Sequence, residues 1–184
     1  FCHRENVKSR SLRLSTIQII NTADNFSNYD EIYFPHNVDF RGRVYPIPVL
    51  LQPQGNDLSK GLLIFAEGKK LDENSVKWLK IHCANTYGND KVSFDERINW
   101  VNENIEKIKN IVLDPRNNLN DWIQADKPFQ FLASCIELKG YLDNPDEFIS
   151  SLPVAMDGTN NGLQHYSVLL KDEIAGQFVN LMDS

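Results

Sequence analysis

Residues 152–157 read Leu-Pro-Val-Ala-Met-Asp, and residues 158–165 read Gly-Thr-Asn-Asn-Gly-Leu-Gln-His. The short apolar run predicts a buried strand, and the glycines and helical pattern after it predict a turn followed by a helix. Asp157 would then stand at the tip of that strand. A buried carboxylate needs a metal, a base or solvent beside it, and a strand tip suits the holding of a cation.

The same residues also allow a purely structural interpretation of Asp157. Asp-Gly is a common hairpin turn, and Asp157-Gly158 could be no more than that. Gly162 and the helical residues after it favour a site, because a two-residue turn needs neither a second glycine nor a helix behind it. Both interpretations stay open at this point.

Composition places the chain among globular proteins. Of its 184 residues, 41% are hydrophobic and 10% aromatic, which suffices for a core. Its three cysteines, at positions 2, 83 and 135, lie far apart, which favours reduced structural thiols over a disulfide framework. No apolar run approaches the roughly 20 residues that cross a bilayer. Because the sequence starts at Phe1 and stops soon after a helical pattern, we expect a fragment of a longer protein.

The net charge of −6 argues at first against nucleic acid. The first 60 residues, however, carry seven basic and six acidic side chains. A phosphate-binding channel requires local positive charge rather than a basic chain as a whole. The charge distribution therefore leaves nucleic-acid binding open.

The remaining patterns predict an α+β chain, mostly helical with a few strands. Apolar spacing and capping residues predict helices over about 9–27, 60–67, 73–88, 94–113 and 128–141, and further helices to about 181. Four prolines break the extended stretch 31–51 and its sequel into irregular or edge strands. The helical block would lie between two strand-bearing parts.

A second motif occupies residues 37–46, Asn-Val-Asp-Phe-Arg-Gly-Arg-Val-Tyr-Pro. In an extended strand Arg41, Arg43 and Tyr45 would share one face. The guanidiniums of Arg41 and Arg43 would lie about 7 Å apart along the strand. This distance matches the spacing of successive phosphates on a single nucleic-acid strand. Arginine binds phosphate through two hydrogen bonds, and tyrosine can stack on a base. The alternative is structural, with both arginines paired to Asp39 and other acids.

Together these motifs resemble the single-subunit DNA-dependent RNA polymerases of bacteriophages and mitochondria. The resemblance covers nearly the whole chain, and the order and spacing of its pieces make it specific. The pieces are Lys8-Ser9-Arg10, Phe34-Pro35-His36-Asn37, Asp39-Phe40-Arg41-Gly42-Arg43-Val44-Tyr45-Pro46, Gly55-Asn56-Asp57, Lys60-Gly61-Leu62-Leu63, Trp78-Leu79-Lys80-Ile81-His82, Leu152-Pro153, Asp157-Gly158-Thr159 and Gly162-Leu163-Gln164-His165-Tyr166.

The resemblance implies part of a right-hand fold with thumb, palm and fingers. Residues 1–30 would end the thumb-side helical region. Residues 31–70 would form the first part of the palm, with the Asp39 to Pro46 motif. Residues 71–148 would be a helical palm insertion, and residues 149–184 would hold the motif A strand and the start of the fingers-side helices.

The resemblance also implies nucleotidyl transfer. Asp157 would be the catalytic aspartate of motif A and would bind two Mg²⁺ ions, helped by the Gly158 carbonyl. The 3′-hydroxyl of the RNA would attack the α-phosphate of a ribonucleoside triphosphate, and pyrophosphate would leave. Gly162, which lacks a side chain, would admit the ribose 2′-hydroxyl. Contacts to template or hybrid would come from Arg41, Arg43, Tyr45 and Lys60.

The implied partners are a DNA template, the RNA product, ribonucleoside triphosphates and the rest of the polymerase chain, with no membrane. A second metal-binding aspartate would lie outside this chain, so the 184 residues alone are expected not to polymerise. The location would be intracellular: host cytoplasm for a phage protein, mitochondrial matrix or plastid for an organellar one.

Two other functions compete with RNA synthesis. The chain could be a non-catalytic nucleic-acid-binding or interaction fragment in which Asp157 is structural. A phosphohydrolase with Asp157 as nucleophile fits less well, because such sites usually place a second acid within a few residues. The next acid in this sequence is Asp172.

Overall fold

Helices dominate the fold. The computed structural model describes residues 2–156, 160–179 and 181–182. The chain divides into two compact units, Phe1–Val154 and Ala155–Ser184. Within the described residues the strands form two small antiparallel sheets, which confirms the predicted α+β class.

The first unit alternates short strands with helices. In chain order its elements are α1 (Cys2–Phe26), β1 (His36–Val38), β2 (Val44–Pro46), α2 (Asp57–Leu62), β3 (Lys69–Lys70), α3 (Glu73–Tyr87), α4 (Phe94–Glu103), α5 (Ile105–Leu113), α6 (Leu119–Trp122), α7 (Pro128–Asp143) and β4 (Ile149–Ser150). β1 pairs with β2, and β3 pairs with β4.

Helices α3 to α7 surround the main hydrophobic core. α3 begins where the Asp72 carboxylate accepts the Ser75 N–H at 2.7 Å, and it ends at Gly88, whose φ is +115°. Both ends match the prediction, because capping carboxylates and left-handed glycines are local signals. The buried core residues are Leu79, Cys83, Ala84, Val101, Ile108, Ile111, Trp122, Ala125, Phe131, Cys135 and Leu138.

The single helix predicted over 94–113 is in fact two helices. Its capping box forms as predicted, since the Ser93 Oγ accepts the Glu96 N–H and the Glu96 carboxylate accepts the Ser93 N–H. The helix then breaks at Asn104, whose side-chain amide donates to the Trp100 carbonyl at 2.8 Å. Asparagine competes in this way with the backbone hydrogen bonds of a helix.

Two other predicted elements were placed wrongly. The helix expected over 60–67 is α2, which starts earlier because Asn56 caps it through the Ser59 N–H at 3.0 Å. The buried strand expected over 152–156 is absent from the described part of the chain. A strand needs a partner edge, and β3 pairs only as far as Ser150. Met156 is 70% exposed, so this run is not a buried strand.

The two buried cysteines are structural, as predicted. Cys83 on α3 and Cys135 on α7 are both fully buried and free. Burial, followed by the hydrogen bond with Cys83, raises the pKa of Cys135. Buried thiols pack as small apolar groups.

Asp57 ties α2 to the N terminus of α7. Its Oδ2 accepts the Phe129 N–H at 2.8 Å, and its Oδ1 accepts the Gln130 N–H at 3.2 Å and the Gln130 Nε2 at 3.0 Å. These backbone groups are among those that a helix leaves unpaired at its start. The helices also touch closely, since a Cβ on Gly61 would lie 2.9 Å from the Phe129 backbone. This contact joins residues that lie about seventy positions apart in the sequence. Closing a loop of that length costs only modestly more entropy than closing a shorter one.

Within its described residues the second unit holds two short helices, α8 (Asn161–Leu170) and α9 (Glu173–Phe178). Asp172 caps α9 by accepting the Ala175 N–H at 3.0 Å, and Gln164 Nε2 donates to the Val179 carbonyl at 2.6 Å. Helices therefore follow residue 160 as predicted. Across both units, no described helix is long and apolar enough to cross a membrane.

Loss of the Asp57 carboxylate should loosen the joint between α2 and α7. We expect Asp57→Ala to lower the free energy of unfolding by about 1–2 kcal/mol, because two backbone N–H groups lose their acceptor. Urea denaturation followed by circular dichroism measures this. The matched control is Asp146→Ala, which removes an exposed acid and should change stability by less than about 0.5 kcal/mol. Equal losses in the two variants would contradict the assignment.

Acid should weaken the helical core through His82, which is 4% exposed. Burial, with a smaller contribution from the charge of Lys127, lowers the pKa of His82 from 6.5 to about 4. Between these values the unfolded chain binds the extra proton, so the free energy of unfolding falls as pH falls. We expect a loss of up to about 3 kcal/mol by pH 4.

This dependence is measured by urea denaturation from pH 7.5 to pH 4. His82→Leu should flatten the profile over that range, whereas His36→Gln, which removes an exposed histidine, should leave it unchanged. A profile that keeps its slope in His82→Leu would show that another group titrates.

Candidate nucleic-acid interface and catalytic segment

The arginine motif lies on a short hairpin. β1 pairs with β2 in the register His36 to Pro46, Asn37 to Tyr45 and Val38 to Val44. Residues 39–43 form the turn, in which the Asp39 N–H donates to the Arg43 carbonyl at 2.9 Å. Gly42 has a φ of +77°, a left-handed conformation that favours glycine. The turn thus explains why a glycine separates the two arginines.

This turn corrects the predicted alternation of the motif. Arg41 and Arg43 lie in the turn and only Tyr45 lies in a strand, so the rule for extended chain does not apply across these residues. Two of the three side chains nevertheless meet, because Arg41 Nη2 lies 3.4 Å from Tyr45 Oη. They are brought together by the reversal of the chain.

Asp39 organises the turn. Its Oδ1 accepts the N–H groups of Arg41 at 2.8 Å and Arg43 at 3.0 Å, and its Oδ2 accepts Arg41 Nε at 2.9 Å and Nη2 at 2.7 Å. The Arg43 backbone N–H, and to a smaller extent Arg41, lowers the pKa of Asp39. The carboxylate therefore stays ionised and holds Arg41 in a fixed orientation.

The two arginines consequently differ in charge. Arg41 is neutralised by Asp39, although half of its side chain remains exposed. Arg43 contacts Asp39 through its backbone alone, and its guanidinium makes no ion pair within the described residues. The alternative in which the arginine side chain pairs with Asp39 is therefore observed for Arg41 and not for Arg43.

Phe40 and Gln54 also belong to this surface, and the sequence-based set of candidate residues did not include them. Phe40 is 98% exposed at the hairpin tip, and the Arg41 Cζ lies 5.6 Å from its ring centroid. An exposed aromatic beside an arginine is typical of stacking surfaces for bases. Gln54 Nε2 donates to the Val44 carbonyl at 3.1 Å, which anchors the hairpin. The aromatic Phe40, between Asp39 and Arg41, was visible in the sequence, but the anchoring contact of Gln54 was not.

Lys60 is exposed on α2. The helix beneath it is firmly held, because Ser59 Oγ donates to the Leu50 carbonyl at 2.8 Å and Leu58 packs with Ile19 and Leu51. Together with the Asp57 contact to α7, these interactions give Lys60 a rigid base. Its ammonium group makes no ion pair in the described part of the chain.

Asp157 and Gly158, the predicted catalytic and metal-binding residues, lie outside the described residues. Among the residues that are described, no group of three or more His, Cys, Asp or Glu side chains could hold a metal. In donor chemistry, a carboxylate and a backbone carbonyl suit Mg²⁺, which prefers oxygen ligands and keeps several waters. Two such groups would form part of a Mg²⁺ ligand set rather than a complete one.

The chain is well anchored at residues 151 and 152. Glu137 on α7 accepts the N–H groups of Ser151 at 2.9 Å and Leu152 at 3.3 Å. On the other side the Phe65 N–H donates to the Ser151 carbonyl at 2.8 Å. Sequence analysis missed Glu137, because nothing local marks a helical glutamate that binds a strand end fourteen residues away.

Gly162 is the second residue of α8 and is exposed. A Cβ built there would meet no other atom within 4 Å in the described chain. Packing among the described residues therefore does not require glycine at position 162.

Comparison with known proteins points to the same family that the sequence motifs resemble. A family model for DNA-dependent RNA polymerase matches residues 69–184. The chain is 51% identical over 152 residues to a mitochondrial DNA-directed RNA polymerase of Neurospora crassa, covering 82% of this chain and 11% of that protein. It is 43% identical over 182 residues to T7 RNA polymerase of Escherichia phage T7, covering 99% of this chain and 20% of that protein.

A plant relative gives the same result. DNA-directed RNA polymerase 1, mitochondrial, of Arabidopsis thaliana is 39% identical over 183 residues, covering 97% of this chain and 19% of that protein. The chain thus spans about a fifth or less of the length of these relatives. With a family model over more than half of its length and relatives across nearly all of it, the chain belongs to the DNA-dependent RNA polymerase family of the phage and mitochondrial type.

Proposed function

We propose that the protein carrying this chain synthesises RNA on a DNA template by nucleotidyl transfer from ribonucleoside triphosphates. In this proposal the chain supplies the catalytic carboxylate, Asp157, and part of the surface that holds template and product. The observation that carries it is the family match, which runs through Asp157 and covers residues 69–184. The right-hand fold follows from membership of this family.

Asp157 and the Gly158 carbonyl would hold Mg²⁺ together with ligands from elsewhere in the protein. When bound, the two metal ions would supply charge stabilisation for the attacking and leaving oxygens. The chain's own contribution would be to direct the Asp157 carboxylate towards the reacting phosphate. The anchoring of residues 151–152 by α7 and by Phe65 supports that role.

The hairpin would bind the nucleic-acid backbone. Arg43 presents a guanidinium that makes no ion pair within the described residues and can form two parallel hydrogen bonds with one phosphate. Arg41 is held by Asp39 and adds donors with little net charge. Tyr45 and Lys60 would extend the surface, through stacking and as a mobile point charge respectively. These assignments explain how a chain of net charge −6 offers phosphate contacts.

The region names follow the family and remain proposals for this chain. Residues 1–30 are assigned to the thumb side, 31–70 to the palm, 71–148 to a helical palm insertion and 149–184 to motif A and the first fingers-side helices. The separate core of α3 to α7 supports the insertion. Relatives named as phage, mitochondrial and chloroplastic enzymes are compatible with an intracellular setting, and the choice among them stays a prediction.

Asp157→Asn tests the proposal in a full-length polymerase that carries these 184 residues. We expect RNA synthesis to fall roughly a thousandfold or more, because a neutral amide binds Mg²⁺ poorly. Primer extension on a DNA template measures it, and template binding should stay within about threefold of wild type because phosphate contacts elsewhere supply it.

Asp172→Asn is the matched control for that experiment. Asp172 is an exposed aspartate that caps α9, and asparagine caps helices equally well, so activity should be retained. Full activity in Asp157→Asn, with unchanged template binding, would instead favour the non-catalytic nucleic-acid-binding alternative.

Gly162→Glu tests ribose accommodation in the same protein. The open space at this position accepts a side chain without a clash in the chain itself, so folding should be preserved. A side chain there should oppose the 2′-hydroxyl, and the ratio of kcat/KM for ribonucleotides to that for deoxyribonucleotides should fall at least about tenfold. Gly162→Ala should fall less. An unchanged ratio in Gly162→Glu would refute the role.

A further inference from the structure

Ser151 is held from both sides. Its N–H donates to Glu137 Oε1 at 2.9 Å, and its carbonyl accepts the Phe65 N–H at 2.8 Å. The neighbouring Leu152 N–H also donates to Glu137 Oε1, at 3.3 Å. One carboxylate oxygen therefore serves two successive backbone groups.

The reason for this arrangement is the short length of the sheet. β4 ends at Ser150, so the next two N–H groups have no strand to pair with. Partly buried backbone donors need an acceptor, and a carboxylate gives stronger hydrogen bonds than a neutral group. The Glu137 carboxylate accepts these two N–H groups in place of a neighbouring strand, just beyond the last paired residue of β4.

Glu137 acts from a rigid base. It is flanked on α7 by Cys135 and Leu138, both fully buried. The N terminus of α7 is fixed by Asp57. Opposite, Gly68 fits so closely that a Cβ would lie 2.5 Å from Ile149 Cγ2. The segment 149–152 thus has little freedom to shift relative to α7.

We propose that Glu137 is a positioning residue for Asp157. It fixes where and in which direction the chain leaves the core at Leu152, five residues before Asp157 in the sequence. The inference rests on the proposed function, since only a catalytic Asp157 requires this placement. A misplacement of about 1 Å at a reacting group can cost roughly a hundredfold in rate.

Positioning can be separated from a general effect on stability. The Leu152 side chain packs against the main core, so the segment should remain docked without Glu137. Loss of the carboxylate should then free two N–H groups and loosen the exit direction of the chain. It should leave the core and the hairpin unchanged.

The test compares three changes at Glu137 with a control on the same helix, all in the full-length polymerase. Glu137→Ala removes the acceptor, Glu137→Asp shortens its reach, and Glu137→Gln keeps an acceptor oxygen at the same distance. The control, Asp143→Asn, removes an acid that pairs with Lys139 on α7. Such exposed pairs contribute little to stability.

Two measurements are made on each variant. Hydrogen exchange reports the protection of the Ser151 and Leu152 amides. Steady-state primer extension gives kcat and KM for ribonucleotides, and template affinity is measured alongside. The exchange readout is independent of catalysis, and the split between kcat and KM would not follow from a uniform loss of folded protein.

We expect the Ser151 and Leu152 amides to exchange at least about tenfold faster in Glu137→Ala and Glu137→Asp than in the wild type. Their kcat should fall roughly ten- to a hundredfold, as for residues that orient a ligand from behind. KM and template affinity should stay within about threefold, since binding groups lie elsewhere. Glu137→Gln and Asp143→Asn should both resemble the wild type, within about threefold.

Each other result overturns the inference. Faster exchange with unchanged kcat would make Glu137 merely structural, and unchanged exchange in both Glu137→Ala and Glu137→Asp would mean that the contact does not hold the segment. If Glu137→Ala does not fold, Glu137→Asp decides. An active wild type with fully active variants defeats this inference alone, whereas a wild-type protein that makes no RNA defeats the proposed function and the inference with it.

Discussion

Carboxylates that accept otherwise unpaired backbone N–H groups join separate elements of this chain. Asp57 binds the open N terminus of α7, and Glu137 binds the two N–H groups beyond the end of β4. Asp57 binds α7, and Glu137 is part of α7. This helix contributes Phe131, Cys135 and Leu138 to the main core. α7 therefore connects the segment that carries Lys60 with the segment that runs towards Asp157.

The same chemistry builds the hairpin and determines its charge. Asp39 accepts two backbone N–H groups and the Arg41 guanidinium, and these contacts lower its pKa. Because Asp39 neutralises Arg41, the free positive charge of the turn belongs to Arg43. An acidic chain can in this way present a local phosphate-binding group, since recognition depends on unpaired cations rather than on net charge.

Local signals predicted local structure, and long-range contacts escaped them. Asp72, Ser93 and Gly88 gave correct helix ends because their hydrogen bonds lie within one turn of the chain. The Asp157 motif and the hairpin motif identified the family, but the alternation of Arg41, Arg43 and Tyr45 was wrong because a turn reverses the chain there. Glu137 could not be found, since its partners come from another element.

The most direct measurement is a structure of the full-length polymerase with a primed template, an incoming ribonucleotide and Mg²⁺. The account predicts that the Asp157 carboxylate lies about 2 Å from a metal ion, that the Ser151 and Leu152 N–H groups remain on Glu137, and that Arg43 contacts a backbone phosphate. A metal held entirely by other residues, with Asp157 turned away from the nucleotide, would contradict it.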